Sequence, residues 1–129
     1  MGENMQAKKI KYNDSEYRHQ CAVTEYMRTF YPDKLFFASG NGLRLSIGPA
    51  VKFKRMGNNK GAPDLVFPEP MQGYFGLFIE MKKEQGETVR HDQKLWIGKL
   101  REKGYYAVIC KGFKSAKDYI DWYFSEGKK

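Results

Sequence analysis

Cysteine is scarce in this sequence: 129 residues contain Cys21 and Cys110 and no others. Each stands inside an apolar run without the CxxC spacing of a zinc site or a redox dithiol, so a disulfide framework is excluded and both are expected to be reduced core thiols. Histidine is equally rare. His19 and His91 are both expected at the surface. No stretch is apolar and long enough to read as a signal segment or a membrane span, and the start, Met1-Gly2-Glu3-Asn4-Met5-Gln6-Ala7-Lys8-Lys9, offers neither. A soluble cytoplasmic protein without a membrane partner is expected. There is no GxxxxGK[ST] loop, so no nucleotide cofactor is indicated. Internal repeats and low-complexity tracts are absent as well. Negative charge is in deficit, with 15 Asp and Glu against 23 Lys and Arg, a formal balance of +8. A polyanion is the natural partner for such a chain, although a basic balance alone also suits mere solubility.

The length fits one domain. Residues 1–12 read as a loose basic leader and residues 13–129 as the folded unit. With Asp14 or Ser15 as N-cap, a helix is expected to run to about residue 31, where Pro32 cannot continue it. Val23, Met27 and Phe30 lie on its apolar stripe, and stepping back from Val23 by three and then four residues reaches Gln20 and Glu16. The inward stripe thus begins with a carboxylate. Residues 35–38 read as a short strand, followed by Ser39-Gly40-Asn41-Gly42 and a long irregular segment. That segment carries Arg44, Lys52, Lys54, Arg55 and Lys60, a candidate nucleic-acid loop whose ordinary alternative is a solvated surface. Residues 64–67 and 74–81 should pair as a hairpin. A helix from about residue 88 to 103 follows, with Gln93, Trp96, Ile97 and Leu100 on one face and Gly104 as its cap. Residues 105–110 form another strand, and a last helix from about residue 115 buries Ala116, Tyr119, Ile120 and Tyr123. The order, helix, three strands, helix, strand, helix, is α/β with a mixed central sheet flanked by helices.

Strand alternation over residues 74–82 sends Leu77, Ile79 and Met81 to one face and Phe78, Glu80 and Lys82 to the other. The second face begins apolar and turns charged at its end, as expected where a covered sheet opens into a site. Asp64 begins the neighbouring strand after Pro63, and hairpin pairing brings its carboxylate directly or diagonally beside Glu80. Two close carboxylates repel unless a divalent cation joins them, and oxygen-only ligation suits Mg²⁺ or Mn²⁺ rather than zinc. Lys82 is placed to orient a water and to balance charge at a phosphate. Singly, each residue has an ordinary reading: an Asp after Pro is commonly a turn residue, and Glu-x-Lys on a strand is commonly a solvated pair.

In combination, Gly61-Ala62-Pro63-Asp64, Glu80-Met81-Lys82 and Gln93 on the following helix resemble the VRR-NUC (virus-type replication-repair nuclease) family of the PD-(D/E)XK superfamily, in its standalone form. The resemblance covers roughly residues 15–108. It implies a restriction-endonuclease-like core and a metal-dependent phosphodiesterase. On the family pattern Asp64 and Glu80 are metal ligands, with the Met81 backbone carbonyl as a third, and Lys82 positions the water. Glu16 matches the first-helix glutamate and Gln93 the motif glutamine. Gln20 shares the inward stripe with Glu16, and periodicity does not separate them; a metal's need for an anion favours Glu16. Ala62 stands where a branched apolar residue is common, and Met81 where leucine or valine is usual. The family also implies a homodimer acting on DNA, in keeping with branched substrates such as four-way junctions.

With two histidines the chain lacks the sets used by HUH and ββα-metal nucleases. Two readings from other classes stand beside the enzyme. One is a non-catalytic nucleic-acid-binding module in which the carboxylates are structural. The other is an interaction domain built on Tyr119, Trp122 and Tyr123, aromatics that serve a core more simply.

Overall fold

The computed structural model describes residues 14–41 and 45–125. The basic leader and Arg44 lie outside the described residues. Ser15 starts the first helix, α1 (Glu16–Phe30), its Oγ accepting from the Arg18 N–H at 3.2 Å, and Tyr31 and Pro32 end it. There follow β1 (Phe37–Ala38), α2 (Ile47–Arg55), β2 (Leu65–Phe67), β3 (Leu77–Lys82), α3 (His91–Glu102), β4 (Tyr106–Lys111) and α4 (Phe113–Tyr123). The sheet order is β1-β2-β3-β4. The first three strands are antiparallel neighbours, and β3 and β4 are parallel, joined by a crossover through α3. The α/β class and the mixed sheet agree with the sequence reading.

Helices cover both faces of the sheet. On one, Leu65, Phe67, Leu77, Ile79, Met81, Val108 and Cys110 pack with Val23 and Met27 of α1 and with Ala116, Ile120 and Tyr123 of α4. On the other, Phe78, Ala107 and Ile109 meet Ile97 and Leu100 of α3. This explains why β3 reads as nearly continuous apolar sequence until its charged end.

Several elements differ from expectation. The segment after Gly40 holds a helix, α2, rather than irregular chain. All its residues are exposed or half-buried, and the fold anchors it through neighbours: Asn41 donates to the Asn59 and Ala62 carbonyls at 2.9 and 2.7 Å and accepts from Asn58 at 2.7 Å. The strand at β1 has two residues rather than four, and β3 begins at Leu77 rather than residue 74. Phe30 is 65% exposed, because the buried stripe of α1 is His19, Val23 and Met27, a run at spacing four. Cys110 is buried as expected, whereas Cys21, two residues from that stripe, is exposed.

His19 is therefore not a surface residue. Its Nδ1 accepts from the Phe113 N–H at 3.0 Å, which leaves the ring proton on Nε2 to donate to Asp14 Oδ1 at 2.8 Å. Asp14 in turn accepts from the Glu84 and Gln85 N–H groups at 2.7 and 2.9 Å. One buried imidazole thus ties α1 to the start of α4 and to the loop that leaves β3. His91, by contrast, is exposed.

Candidate active site

The β2–β3 register pairs Leu65 with Ile79 and Val66 with Phe78. Continued by one residue, it sets Asp64 opposite Glu80, on the face shared with Phe78 and Lys82 and covered by α3. Asp64 is 2% exposed, Glu80 3% and Lys82 1%. Gly61 lets the preceding chain come close enough: its φ is +94°, and a Cβ there would lie 3.0 Å from both the Asp92 carbonyl oxygen and the Trp96 ring. Gln93 is buried on the same side, in the first turn of α3.

Hydrogen bonds fix these side chains. The Met81 N–H donates to Asp64 Oδ2 at 2.8 Å. Gln93 Nε2 donates to Glu80 Oε2 at 2.6 Å, and its Oε1 accepts from the Arg90 N–H at 3.0 Å. Gln93 therefore both caps its own helix and aims Glu80. A strand residue sends its N–H and C=O to the same edge, so the Met81 carbonyl leaves β3 on the side of Asp64, where the β2 ladder has ended.

Burial, and then the neighbouring charge of Asp64, push Glu80 up to about 8. Burial also raises Asp64, against the lowering effect of the Met81 N–H and of Lys82. Lys82 is lowered, again first by burial, with Glu80 acting the other way. Two buried carboxylates in contact resist ionising together, and a cation between them removes that resistance. The donor set is carboxylate and carbonyl oxygen. It fits a hard divalent ion such as Mg²⁺ or Mn²⁺.

Glu16 is half-buried at the start of α1 and lines a polar cavity with Asp14, Lys83 and Glu87. Gln20 is half-buried and lines an adjoining cavity with Glu16, Ala38 and Gly40. Among the described residues, the His, Cys, Asp and Glu triple with ligand atoms within 4.8 Å of one another is Asp14, His19 and Glu84. Both nitrogens of that histidine are already engaged in hydrogen bonds. Lys52, Lys54, Arg55 and Lys60 are all exposed, the first three on α2.

Sequence reasoning missed Glu87 and Arg90. Glu87 Oε2 lies 3.4 Å from Lys82 Nζ. Arg90 occupies the N-cap of α3, a position that favours Ser, Thr, Asp or Asn, and its side chain makes no capping bond there. Asp92 instead accepts from the Gln93 N–H, and also from Arg90 Nε at 3.2 Å. The Arg90 charge favours the ionised forms of both Asp64 and Glu80. A poor cap residue beside two carboxylates was the available signal.

The family model of the VRR-NUC domain matches residues 43–114, a span that contains Asp64, Glu80, Lys82 and Gln93 and leaves out α1. A solved structure described as a VRR_NUC domain protein is 28% identical, with a TM-score of 0.70 over 89% of this chain and 91% of that one. No curated protein matches. Since the family match takes in more than half of the sequence and the fold likeness nearly all of it, the chain belongs to the VRR-NUC nuclease family, with a PD-(D/E)XK-like core.

Proposed function

We propose that the protein is an Mg²⁺- or Mn²⁺-dependent DNA endonuclease that hydrolyses phosphodiester bonds in branched DNA, including four-way junctions, and acts as a homodimer. The observation that carries this reading is the buried pair Asp64 and Glu80, set opposite each other across the hairpin with Glu80 held by Gln93 at 2.6 Å. Asp64, Glu80 and the Met81 carbonyl would hold the cation, with Glu16, which lines the cavity at the start of α1, as a further ligand. When bound, the cation supplies Lewis-acid stabilisation of charge developing on the phosphate. Lys82 Nζ orients the attacking water and balances that charge. Gln93 keeps one Glu80 oxygen in place and so fixes the direction of the other. Lys52, Lys54, Arg55 and Lys60, with Arg44, hold the DNA backbone through its phosphates.

The junction preference rests on symmetry: two related strands are cut by two related sites. Leu45, Ile47, Val51 and Met56 leave apolar surface exposed in and around α2, in keeping with a second copy packing nearby. The test is incubation of the wild type and Glu80→Ala with labelled four-way-junction, flap, single-stranded and duplex DNA, in Mg²⁺, Mn²⁺ or EDTA. Metal-dependent cutting by the wild type alone, fastest on the junction, is expected. Binding without cutting in every condition would favour the non-catalytic module. A monomer at micromolar concentration would remove the junction-resolving part and leave the nuclease.

A further inference from the structure

The loop between β3 and α3 carries a carboxylate to which the hydrolytic reaction assigns no role. Lys82 Nζ forms its ion pair with Glu87, at 3.4 Å, and among the described residues it forms none with Asp64 or Glu80. The second Glu87 oxygen accepts from the Lys83 N–H at 2.8 Å. The carboxylate is therefore pinned at both ends, one oxygen on the backbone beside Lys82 and the other on the ammonium. The loop itself is pinned too, since Asp14 accepts from the Glu84 and Gln85 N–H groups and is itself held by buried His19.

We propose that Glu87 is the positioning residue for Lys82: its fixed carboxylate keeps the ammonium pointed at the reacting phosphate. The proposal rests on the nuclease reading. Exposed Lys–Glu pairs contribute little because solvent screens them and both chains stay mobile. Here the Lys82 side chain is 2% exposed and that of Glu87 22%, so the partner decides where the ammonium points. Occupation of Asp64 and Glu80 by a divalent cation makes the pair matter more. Their pull on Nζ is then cancelled, and a doubly charged ion close by repels it. Among the described residues, Glu87 is the carboxylate at ion-pair distance that remains to hold the lysine in the site.

Two substitutions separate this role from a structural one. Glu87→Gln keeps an acceptor for the Lys83 N–H but removes the charge, whereas Glu87→Ala removes both. The proposal expects Glu87→Gln to lower kcat roughly 10- to 100-fold, with KM and DNA affinity in EDTA within about twofold of wild type. Glu87→Ala should lower kcat at least as far. If the role is only to support the loop, Glu87→Gln cuts like wild type and Glu87→Ala alone is impaired, which overturns the proposal. A readout independent of cleavage is the denaturant midpoint in EDTA. Glu87→Gln should lower it more in the wild-type background than in Lys82→Met, and equal shifts in the two backgrounds would contradict the coupling. Should Lys82→Ala itself cut normally, the nuclease reading of this site fails. Should Lys82→Ala be inactive while Glu87→Gln is normal, only the role of Glu87 fails.

Discussion

Gln93 reaches across from the first turn of α3 to donate a 2.6 Å hydrogen bond to Glu80 at the end of β3, while its carbonyl oxygen accepts from the Arg90 N–H. One amide thus couples a helix start to a carboxylate that stands opposite a second carboxylate. Gln93→Ala deprives a buried carboxylate of a donor and a helix N-terminus of an acceptor. We expect a stability loss of about 1–3 kcal/mol and a fall in cleavage rate of roughly 10- to 100-fold, read by denaturant titration and single-turnover cleavage. An unchanged rate would show that Glu80 needs no orienting partner.

The Asp64–Glu80 contact sets a pH dependence. Glu80 is raised from 4.5 to about 8 by burial first and the Asp64 charge second, so the folded, metal-free protein favours its protonated form. The stability that this proton confers is fully present below pH 4.5, the ordinary value, and is lost as pH rises through about 8. A divalent cation bound by Asp64 and Glu80 would replace the proton and reverse the loss. Melting in EDTA and in Mg²⁺ should therefore separate more at about pH 9 than at about pH 6. An equal separation at both would mean that the cation binds elsewhere.

His19 is expected to matter first for stability. Its removal leaves the Phe113 N–H and Asp14 without their partner and opens a gap under α1. His19→Ala should cost about 1–3 kcal/mol with DNA affinity near wild type. A denaturant midpoint equal to wild type would show that the imidazole supports nothing.

The basic residues of α2 bear on affinity. Lys52, Lys54 and Arg55 are exposed, so their replacement by alanine should leave the fold intact. On duplex DNA, every phosphate that a protein ceases to neutralise reduces the slope of log affinity against log salt by about 0.9. The triple variant is expected to flatten that slope by up to about 2.7 units while weakening all sequences alike. An unaltered slope would take α2 out of the interface.

The placement of the candidate site was legible because strand alternation has a rigid period of two: once Phe78, Glu80 and Lys82 share a face, the hairpin sets Asp64 beside them. Helical periodicity is looser. From Val23, steps of three and four lead to Gln20 and Glu16, whereas a step of four leads to His19, and the choice depended on what α1 packs against. The helix α2 was hidden because Gly48 and Pro49 sit in its first turn and Gly57, Asn58 and Asn59 follow it, all punctuation that marks a loop in sequence. The 65% exposure of Phe30 likewise reflects what surrounds α1 and not its own pattern. Glu87 lay in a loop without period, and nothing local announces that its carboxylate turns back onto Lys82.

Asp64, Glu80 and Lys82 are held to form one cation-dependent catalytic centre, and this is the claim on which the rest depends. The most direct measurement is the single-turnover cleavage rate of wild type, Asp64→Ala, Glu80→Ala and Lys82→Ala on one labelled four-way junction in Mg²⁺, with DNA affinity measured in parallel in EDTA. A rate loss on the order of a thousandfold or more is predicted for each variant, with affinity held within a few-fold of wild type. Cleavage by Lys82→Ala at the wild-type rate would contradict it.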